Sequence, residues 1–323
     1  MDSGTLNIGG TFTAAASRTH TIASGGGAID VDSGQTYSLN AANQLTGSGA
    51  LSKHGQGTLT LGNAMNFSGS LAISAGVVRF TSNDLLGDNV PISIAAGATL
   101  DLNNNSDTLG PLSFTGGTAQ SRAGVLTLNG NVTGNASSTM ATVSGNLSLG
   151  ASTRIFNIAE GGAHPDMNVT ASISGGASGL IKTGTGTLQI SGANSYTGET
   201  DLQQGTLLLG AGSSVLQFDA SQSIGWTGGT FLTIANWSGS TSGGGTDRVI
   251  FGSADTALTS SQVAQIRFLD PFGAGSGLIA ARILPTGEVV PIPEPATVFS
   301  AAALAAFVSW RERKRIAQWF VRK

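Results

Sequence analysis

The chain has 323 residues, of which 48 are glycine and only 10% are charged, and it contains no cysteine. Disulfides, thiolate metal sites and a cysteine nucleophile are therefore excluded. The formal net charge of −3 is unevenly distributed, because residues 311–323 carry +5 and the other 310 residues carry −8. An acidic body repels phosphate backbones, so we expect no nucleic acid partner.

The first twenty residues do not have the pattern of a secretory signal peptide, since no basic start precedes an apolar run. They resemble instead the middle of a series of strands and turns. Features near the other end of the chain indicate export. We therefore expect an export signal upstream of Met1 in the natural protein.

Apolar and polar residues alternate through most of the chain. Leu59 and Leu61 fall on one face of a strand, and Thr58 and Thr60 fall on the other. Glycine or asparagine interrupts the alternation every few positions. Short strands with frequent turns predict an all-β fold, either a sandwich, a barrel or a solenoid. The same alternation occurs in residues 57–61, 69–74, 92–102 and 124–134.

An internal repeat favours the solenoid. Residues 51–80 align without gaps with residues 180–209. A stack of such coils pairs each strand with those above and below it and buries a continuous apolar column. We expect Gly198 to occupy a corner with positive φ. The matched positions are Leu51, Lys53, Gly55, Gly57, Thr58, Leu59, Ala64, Gly69 and Gly76, opposite Leu180, Lys182, Gly184, Gly186, Thr187, Leu188, Ala193, Gly198 and Gly205.

The stretch KTGTGTLQISGANSYTGETDLQQGTLLLG, residues 182–210, resembles the autotransporter-associated β-strand repeat. The resemblance extends with interruptions over about residues 20–215. It implies a right-handed parallel β-helix, which we assign to residues 1–221. Residues 222–288 are predicted to cap the last coil, with a short helix in residues 258–270 whose N-cap is Thr259 or Ser260.

Candidate catalytic and metal-binding groups are sparse. His20, His54 and His164 lie far apart in turn-like sequence, and we expect them to be solvated loop residues. Asp30 and Asp32 share one face of a strand, but a lone Asp-x-Asp pair specifies little. We therefore expect no metal site and no cofactor.

The remaining acidic and aromatic residues also favour structural interpretations. The other aspartates are interpreted as turn-forming residues, and Asp247 and Arg248 as a surface pair or a strand-end contact. A row of exposed aromatic rings is able to bind sugars, but we favour Trp226 and Trp237 as covers for the end of the last coil. The turn-forming residues are Asp84, Asp88, Asp101 and Asp107, and the further aromatic residues are Tyr196 and Phe231.

Residues 289–323 differ from everything before them. Pro293, Glu294 and Pro295 precede an apolar run, residues 296–310, that has no charged residue. A helix of this length spans about 22 Å, but a terminal tryptophan and basic residues extend its effective reach across a membrane. The run is therefore predicted to be a membrane-spanning helix followed by a basic stop. That stop comprises Trp310, Arg311, Arg313, Lys314 and Arg315, within the basic tail 311–323.

This order of Pro-Glu-Pro, apolar run and arginine cluster resembles the PEP-CTERM sorting signal. The resemblance implies a bacterial envelope protein that passes transiently through the inner membrane. It also implies recognition by an exosortase, removal of the tail, and delivery to the cell surface or to an extracellular polymer. An uncleaved C-terminal anchor is the alternative.

We therefore predict an exported, non-enzymatic surface protein with a structural or adhesive role, with exopolysaccharide or other surface proteins as partners. The alternative is a surface carbohydrate-active enzyme, a polysaccharide lyase or hydrolase, on the same β-helix. Three or more charged side chains converging in a groove would favour the enzyme. Faces lined by Ser, Thr and Asn would favour the structural protein.

Overall fold

The computed structural model describes residues 1–192, 194–209, 214–218, 220–226, 228–229, 231–235, 237–273 and 275–293. Nearly all the regular structure in them is β. The strands of the first half are β1 (Gly4–Ile8), β2 (Phe12–Thr13), β3 (His20–Ile22), β4 (Gly27–Val31), β5 (Thr36–Leu39), β6 (Leu45–Gly47), β7 (Leu51–His54), β8 (Thr58–Leu61), β9 (Asn66–Phe67), β10 (Leu71–Ile73), β11 (Val77–Phe80), β12 (Ile92–Ala95), β13 (Thr99–Asp101), β14 (Asp107–Leu109), β15 (Leu112–Thr115), β16 (Thr118–Leu128) and β17 (Val132–Gly134).

The second half adds further strands, a 3-10 turn at Asp255–Ala257 and the four-residue helix α1 (Ser260–Val263). The strands of this half are β18 (Ala141–Ser148), β19 (Arg154–Ile158), β20 (Met167–Val169), β21 (Ser172–Ser174), β22 (Leu180–Thr183), β23 (Thr187–Ile190), β24 (Thr200–Leu202), β25 (Thr206–Leu209), β26 (Ser214–Phe218), β27 (Leu232–Ala235), β28 (Asp247–Phe251), β29 (Ile266–Leu269), β30 (Leu278–Ile283) and β31 (Glu288–Pro291).

Successive coils stack in parallel. One sheet has ten strands in the order β1-β4-β7-β10-β12-β15-β17-β19-β22-β24. A second parallel ladder joins β5, β8, β11, β13, β16 and β18 and continues through β20, β23, β25, β27 and β29. A short third sheet is formed by β3, β6 and β9. The predicted all-β parallel solenoid is therefore confirmed.

The inward side chains form apolar columns that run along the stack. Leu59, Val78 and Leu100 pair in register on successive coils, and all three are fully buried. The predicted inward positions Leu61 and Ile190 are fully buried as well. Burying one such side chain contributes about 1.5–3 kcal/mol, so the column is the main stabilising element of the fold.

Parallel pairing does not stop at residue 221. Strand β26 pairs in parallel with β28, and β27 pairs in parallel with β29. The last strands then reverse, with β30 and β31 pairing antiparallel to their neighbours. This hairpin covers a strand edge that a further coil would otherwise have to pair. The division of the chain at residue 221 stays a prediction.

The short helix begins where the sequence predicts. Thr259 is the N-cap of α1, and its side chain accepts a hydrogen bond from the Gln262 amide in a capping box. The predicted helix of residues 296–310 lies outside the described residues. Within the described ranges, no helix has the length and apolar character needed to cross a membrane.

Gly198 does not occupy a corner with positive φ, so that prediction is wrong. Gly184 and Gly205 in the same repeat do, with φ values of +74° and +80°. A Cβ at Gly198 would instead collide with the backbone of Ser178 on the preceding coil. The glycines that recur in the two repeat copies therefore serve two purposes: some form left-handed corners, and others allow close approach of the backbone of the neighbouring coil.

Candidate functional site

The outward faces of both long sheets carry small uncharged side chains in register. In the first sheet the stacked positions are mostly serine and threonine, and in the second mostly threonine. Stacked strands lie about 4.8 Å apart, so each column presents hydroxyl or amide groups at that spacing, except at Ala72 in the first and Val77 in the second. The two columns are Ser52, Ala72, Ser93, Ser113, Thr133, Asn157 and Thr183, and Thr36, Thr58, Val77, Thr99, Thr118, Thr142, Asn168 and Gln189.

Lys53 and Lys182 occupy equivalent inward positions in the two repeats, and both are fully buried. The Lys182 ammonium donates to the carbonyl oxygens of Thr183 at 2.7 Å, Gly184 at 2.7 Å and Gln204 at 3.1 Å. Lys53 Nζ makes the matching set of three bonds, to the carbonyl oxygens of its own corner and of the next coil. Each amine therefore ties together two successive corners of the solenoid.

Burial lowers the pKa of both lysines from 10.5 to about 8, and nearby carboxylates oppose this shift. In the sequence, the two lysines stand out only as matched positions of the repeat. Their burial was predictable, because a strand turns every second side chain to the same face and so places Lys53 and Lys182 on the inward face with Leu51 and Leu180.

Asp101 is the centre of an ion-pair network that joins three coils. Arg79 Nε lies 3.1 Å from one carboxylate oxygen, and Arg122 donates two bonds of 3.0 Å to the carboxylate. Burial alone would raise the pKa of Asp101, but hydrogen bonds from Arg122, the Asn103 amide and Arg79 outweigh it and hold the pKa below its usual value. Asp101 Oδ1 also accepts the Asn103 amide at 2.9 Å, which is an Asx turn into the left-handed corner at Asn103, so the predicted turn role is confirmed. The ion pairs with the two arginines were not predicted from the sequence.

Asp107 was also predicted to form a turn, but it lies in β14 and is 2% exposed. One carboxylate oxygen accepts the amides of Leu85 at 2.8 Å and Leu86 at 3.3 Å, while Oδ1 has no hydrogen-bond partner among the described residues. Burial raises the pKa of this carboxyl to about 6. The pKa values of the two carboxyls are thus shifted in opposite directions, because hydrogen bonds outweigh burial at Asp101 and burial outweighs hydrogen bonds at Asp107. Of the other predicted turn-forming aspartates, Asp84 has the left-handed φ of 52°.

Asp247 and Arg248 do not form the surface pair, whereas Asp247, the first residue of β28, makes a contact at a strand end, the other alternative. Asp247 is fully buried and accepts hydrogen bonds from the Ser238 amide and hydroxyl at 2.8 and 2.7 Å. Arg248 pairs with Glu288 at 3.1 Å, and Glu288 also accepts from the Gly244 amide. Adjacent residues of a strand face opposite sides, so the side chains of Asp247 and Arg248 point away from each other and find different partners.

The histidines do not converge. His54 and His164 are exposed, as predicted, although His54 is the last residue of β7 rather than a loop residue. His20 was expected in a loop but lies half-buried in β3, with Nε2 2.6 Å from the Tyr37 hydroxyl. Burial lowers the pKa of His20.

Asp30 and Asp32 have no acidic or histidine cluster around them. Asp30 is half-buried at a ladder position between Asn7 and His54, whereas Asp32 is exposed just beyond the end of β4. Across the part of the chain that the structure describes, no group of three or more acidic or histidine side chains is arranged to hold a metal ion.

A groove of about 520 Å³ lies between the last strand of the ten-stranded sheet and the segment that follows it. Its polar side chains come from β24 and the residues on either side of it, and its apolar side chains are mostly aromatic. Phe218 and Phe251 stack at 4.6 Å at its base and are buried, while Trp226 is half-buried beside them. We call this the end groove; its polar residues are Glu199, Asp201, Gln203 and Gln204, and its aromatic residues are Phe218, Trp226, Phe231 and Phe251.

Two carboxylates, Glu199 and Asp201, are the only charged groups among the described residues that line the end groove. This falls short of the three converging charges that would favour an enzyme. Trp237 is 5% exposed and packs edge-on against Phe268 at 5.3 Å. That it covers the end of the last coil stays a prediction. Trp226 both covers Phe251 and faces the end groove. The residues that line the end groove are far apart in the sequence, and only the tertiary structure brings them together.

Of the predicted sorting residues, Pro293 is the last described residue and is exposed. The remaining ones lie outside the described residues, so their roles stay predictions. They are Glu294, Pro295, Trp310, Arg311, Arg313, Lys314 and Arg315.

Comparison with known families identifies the repeats. A family profile described as the passenger-associated-transport-repeat matches residues 51–80 and 180–209, the same two ranges as the internal repeat. No solved structure matches the chain. The resemblance to autotransporter-associated repeats is thereby confirmed, whereas the resemblance to a PEP-CTERM signal stays a prediction.

The chain is also similar to the adhesin BmaC autotransporter of Brucella suis biovar 1 (strain 1330), with 32% identity over 209 residues. That match covers 64% of this chain, and the chain spans only 5% of the length of that protein. Both comparisons therefore describe repeat and adhesin proteins rather than catalysts, which agrees with the prediction of a protein that is not an enzyme.

Proposed function

We propose that the protein is an exported bacterial protein with a structural or adhesive role at the cell surface or in the extracellular matrix. The observation that carries the proposal is the pair of outward columns of hydroxyl and amide side chains. Such columns offer many weak, uncharged hydrogen bonds to a hydroxylated polymer or to a similar protein face. The repeat match and the similarity to an adhesin support this role.

The adhesive role is tested by deleting the gene and restoring it. We expect the deleted strain to lose attachment to surfaces or cohesion between cells, and the restored gene to recover it. Attachment through uncharged groups should change little between low and high salt, because screening weakens only interactions between charges. Attachment that is unchanged by the deletion would contradict the proposal.

We further propose that residues 289–323 are a sorting signal that an exosortase removes while the chain is held in the inner membrane. Proline disfavours helix at its own position and at the residue before it, so the sequence predicts an extended stretch around Glu294. Glu294 is the only charge between Glu288 and Arg311. A carboxylate presented in this way suits a charge-assisted hydrogen bond from a basic group of the processing enzyme.

Glu294→Ala tests the sorting step. The apolar run and basic stop are unchanged, so insertion should persist while release fails and full-length chain accumulates in the inner membrane. Glu312→Ala, which removes the acidic residue of the basic tail, is the matched control and should be processed normally. Mass spectrometry of the surface fraction is the readout. Peptides from residues 315–323 in the mature surface form would mean that the tail is a permanent anchor.

A further inference from the structure

The end groove has two chemically different walls. Asp201 lies in β24, and the exposed amide of Gln203 donates to it at 2.7 Å. On the opposite wall, Phe231 is 57% exposed, and the Arg267 guanidinium holds one face of its ring at 4.8 Å from the centroid. A cavity of about 520 Å³ is within the range of small-molecule sites. A ligand that satisfies both walls needs an apolar face and a polar edge.

The charge of the lining restricts the ligand further. Glu199 and Asp201 are the charged residues among the described ones that line the end groove, while the Arg267 guanidinium lies against the Phe231 ring outside that lining. Phosphate, sulfate or uronate groups would be repelled there. Ionised carboxylates only accept hydrogen bonds, so the ligand must bring donors, and an ammonium group would gain charge-assisted bonds.

An extended peptide is a poorer fit than a saccharide. A peptide strand binds a sheet edge through its main chain, and the edge in the end groove is the three-residue strand β24. Its first residue, Thr200, is 1% exposed and is covered by Tyr196, whose hydroxyl lies 2.8 Å from the Thr200 hydroxyl. Recognition in the end groove therefore depends on side chains rather than on main-chain pairing.

We infer that the end groove binds a neutral or amine-bearing oligosaccharide and discriminates against acidic ones. The C–H face of a sugar ring lies against Phe231 and Trp226, and its hydroxyl or ammonium groups donate to Asp201 and Glu199. Gln203 and Gln204 supply both donors and acceptors. This inference rests on the proposed adhesive role and adds a ligand site apart from the outward columns. Binding of an amine-bearing saccharide there should weaken at high salt, unlike attachment through the uncharged columns.

The test is a titration of the full chain with three oligosaccharides of equal length, built from glucosamine, glucose and galacturonic acid. Tryptophan fluorescence is a suitable readout because Trp226 lines the groove. We expect the glucosamine oligomer to bind most tightly and the galacturonic acid oligomer at least about tenfold more weakly. Equal or tighter binding of the acidic oligomer would overturn the inference, as would binding of a basic peptide with no saccharide binding at about 1 mM.

Variants assign the binding to the groove. Phe231→Ala should weaken both favoured saccharides about tenfold, and Asp201→Asn should remove the preference for glucosamine while glucose binding remains. Phe272, 49% exposed and outside the groove lining, gives the control Phe272→Ala, which should bind normally. Equal losses in Phe231→Ala and Phe272→Ala would overturn the assignment. Unchanged urea midpoints would show that the variants fold.

The two proposals fail separately. A surface-located chain that attaches cells but binds none of the three oligosaccharides refutes the groove inference alone. A chain that binds glucosamine oligomers through Phe231 and Asp201, but whose deletion leaves attachment unchanged, refutes the adhesive role alone.

Discussion

The two buried lysines should make the protein more stable as the pH rises from 8 to 10. Folding lowers the pKa of Lys53 and Lys182 from 10.5 to about 8. Between these values the unfolded chain binds more protons than the folded one, so the free energy of unfolding increases with pH. The chain contains two other lysines, Lys314 and Lys323, both in the basic tail, so few other amines contribute to this window.

The magnitude follows from the shift. At about 1.4 kcal/mol per pKa unit, a fall from 10.5 to about 8 sets a ceiling of about 3 kcal/mol for each lysine. Each ammonium also donates to three carbonyl oxygens, which favours its charged form, so we expect about 1–2 kcal/mol for each. The rise in stability ends near pH 10. Burial raises the pKa of Tyr37 and Tyr196 in the folded state, so above that pH the unfolded chain loses its tyrosine protons first and the free energy of unfolding falls.

Urea unfolding followed by circular dichroism at pH 7, 8, 9 and 10 measures the effect. Lys53→Met and Lys182→Met should each remove about half of the rise, since the two sites are equivalent copies, and the double variant should remove it. Each variant leaves carbonyl oxygens without donors and should be less stable at pH 9 than the wild type. A midpoint that is flat from pH 8 to 10, or a rise that survives in the double variant, would refute the reasoning.

Three further outcomes are expected from urea midpoints. Gly198→Ala should lower the free energy of unfolding by more than ~1 kcal/mol, because the new methyl group meets the Ser178 backbone. Gly10→Ala, with open space at that position, is the control and should be neutral. Equal midpoints for the two variants would contradict the close approach at Gly198. Asp107→Asn should stabilise the protein at pH 7 but not at pH 4, since a pKa raised to about 6 means that the folded state loses stability as the pH rises through that value. Asp101→Asn should destabilise the protein, more at pH 7 than at pH 3, because the lowered pKa of Asp101 adds stability that is lost on acidification. If both substitutions changed stability in the same direction at pH 7, the opposite pKa shifts would be contradicted.

Alternation and repetition were sufficient to predict the solenoid. Leu59, Leu61, Leu188 and Ile190 are buried because a strand turns every second side chain to the same face, and this depends only on local backbone geometry. The N-cap at Thr259 is equally local, since its hydrogen bond closes within three residues. The function of residues 294–323 is likewise a prediction from the sequence.

The tertiary structure decided every interaction between coils. Asp101 has its arginine partners on coils about twenty residues away in both directions, and Gly198 is constrained by a backbone twenty residues earlier. The end groove joins residues near 200 to aromatic rings at 226 and 251. The sequence by itself determined which face each strand residue occupies, because that follows from a period of two. Which residues meet depends on how the coils stack, since stacking alone converts separations of twenty to fifty residues into contact.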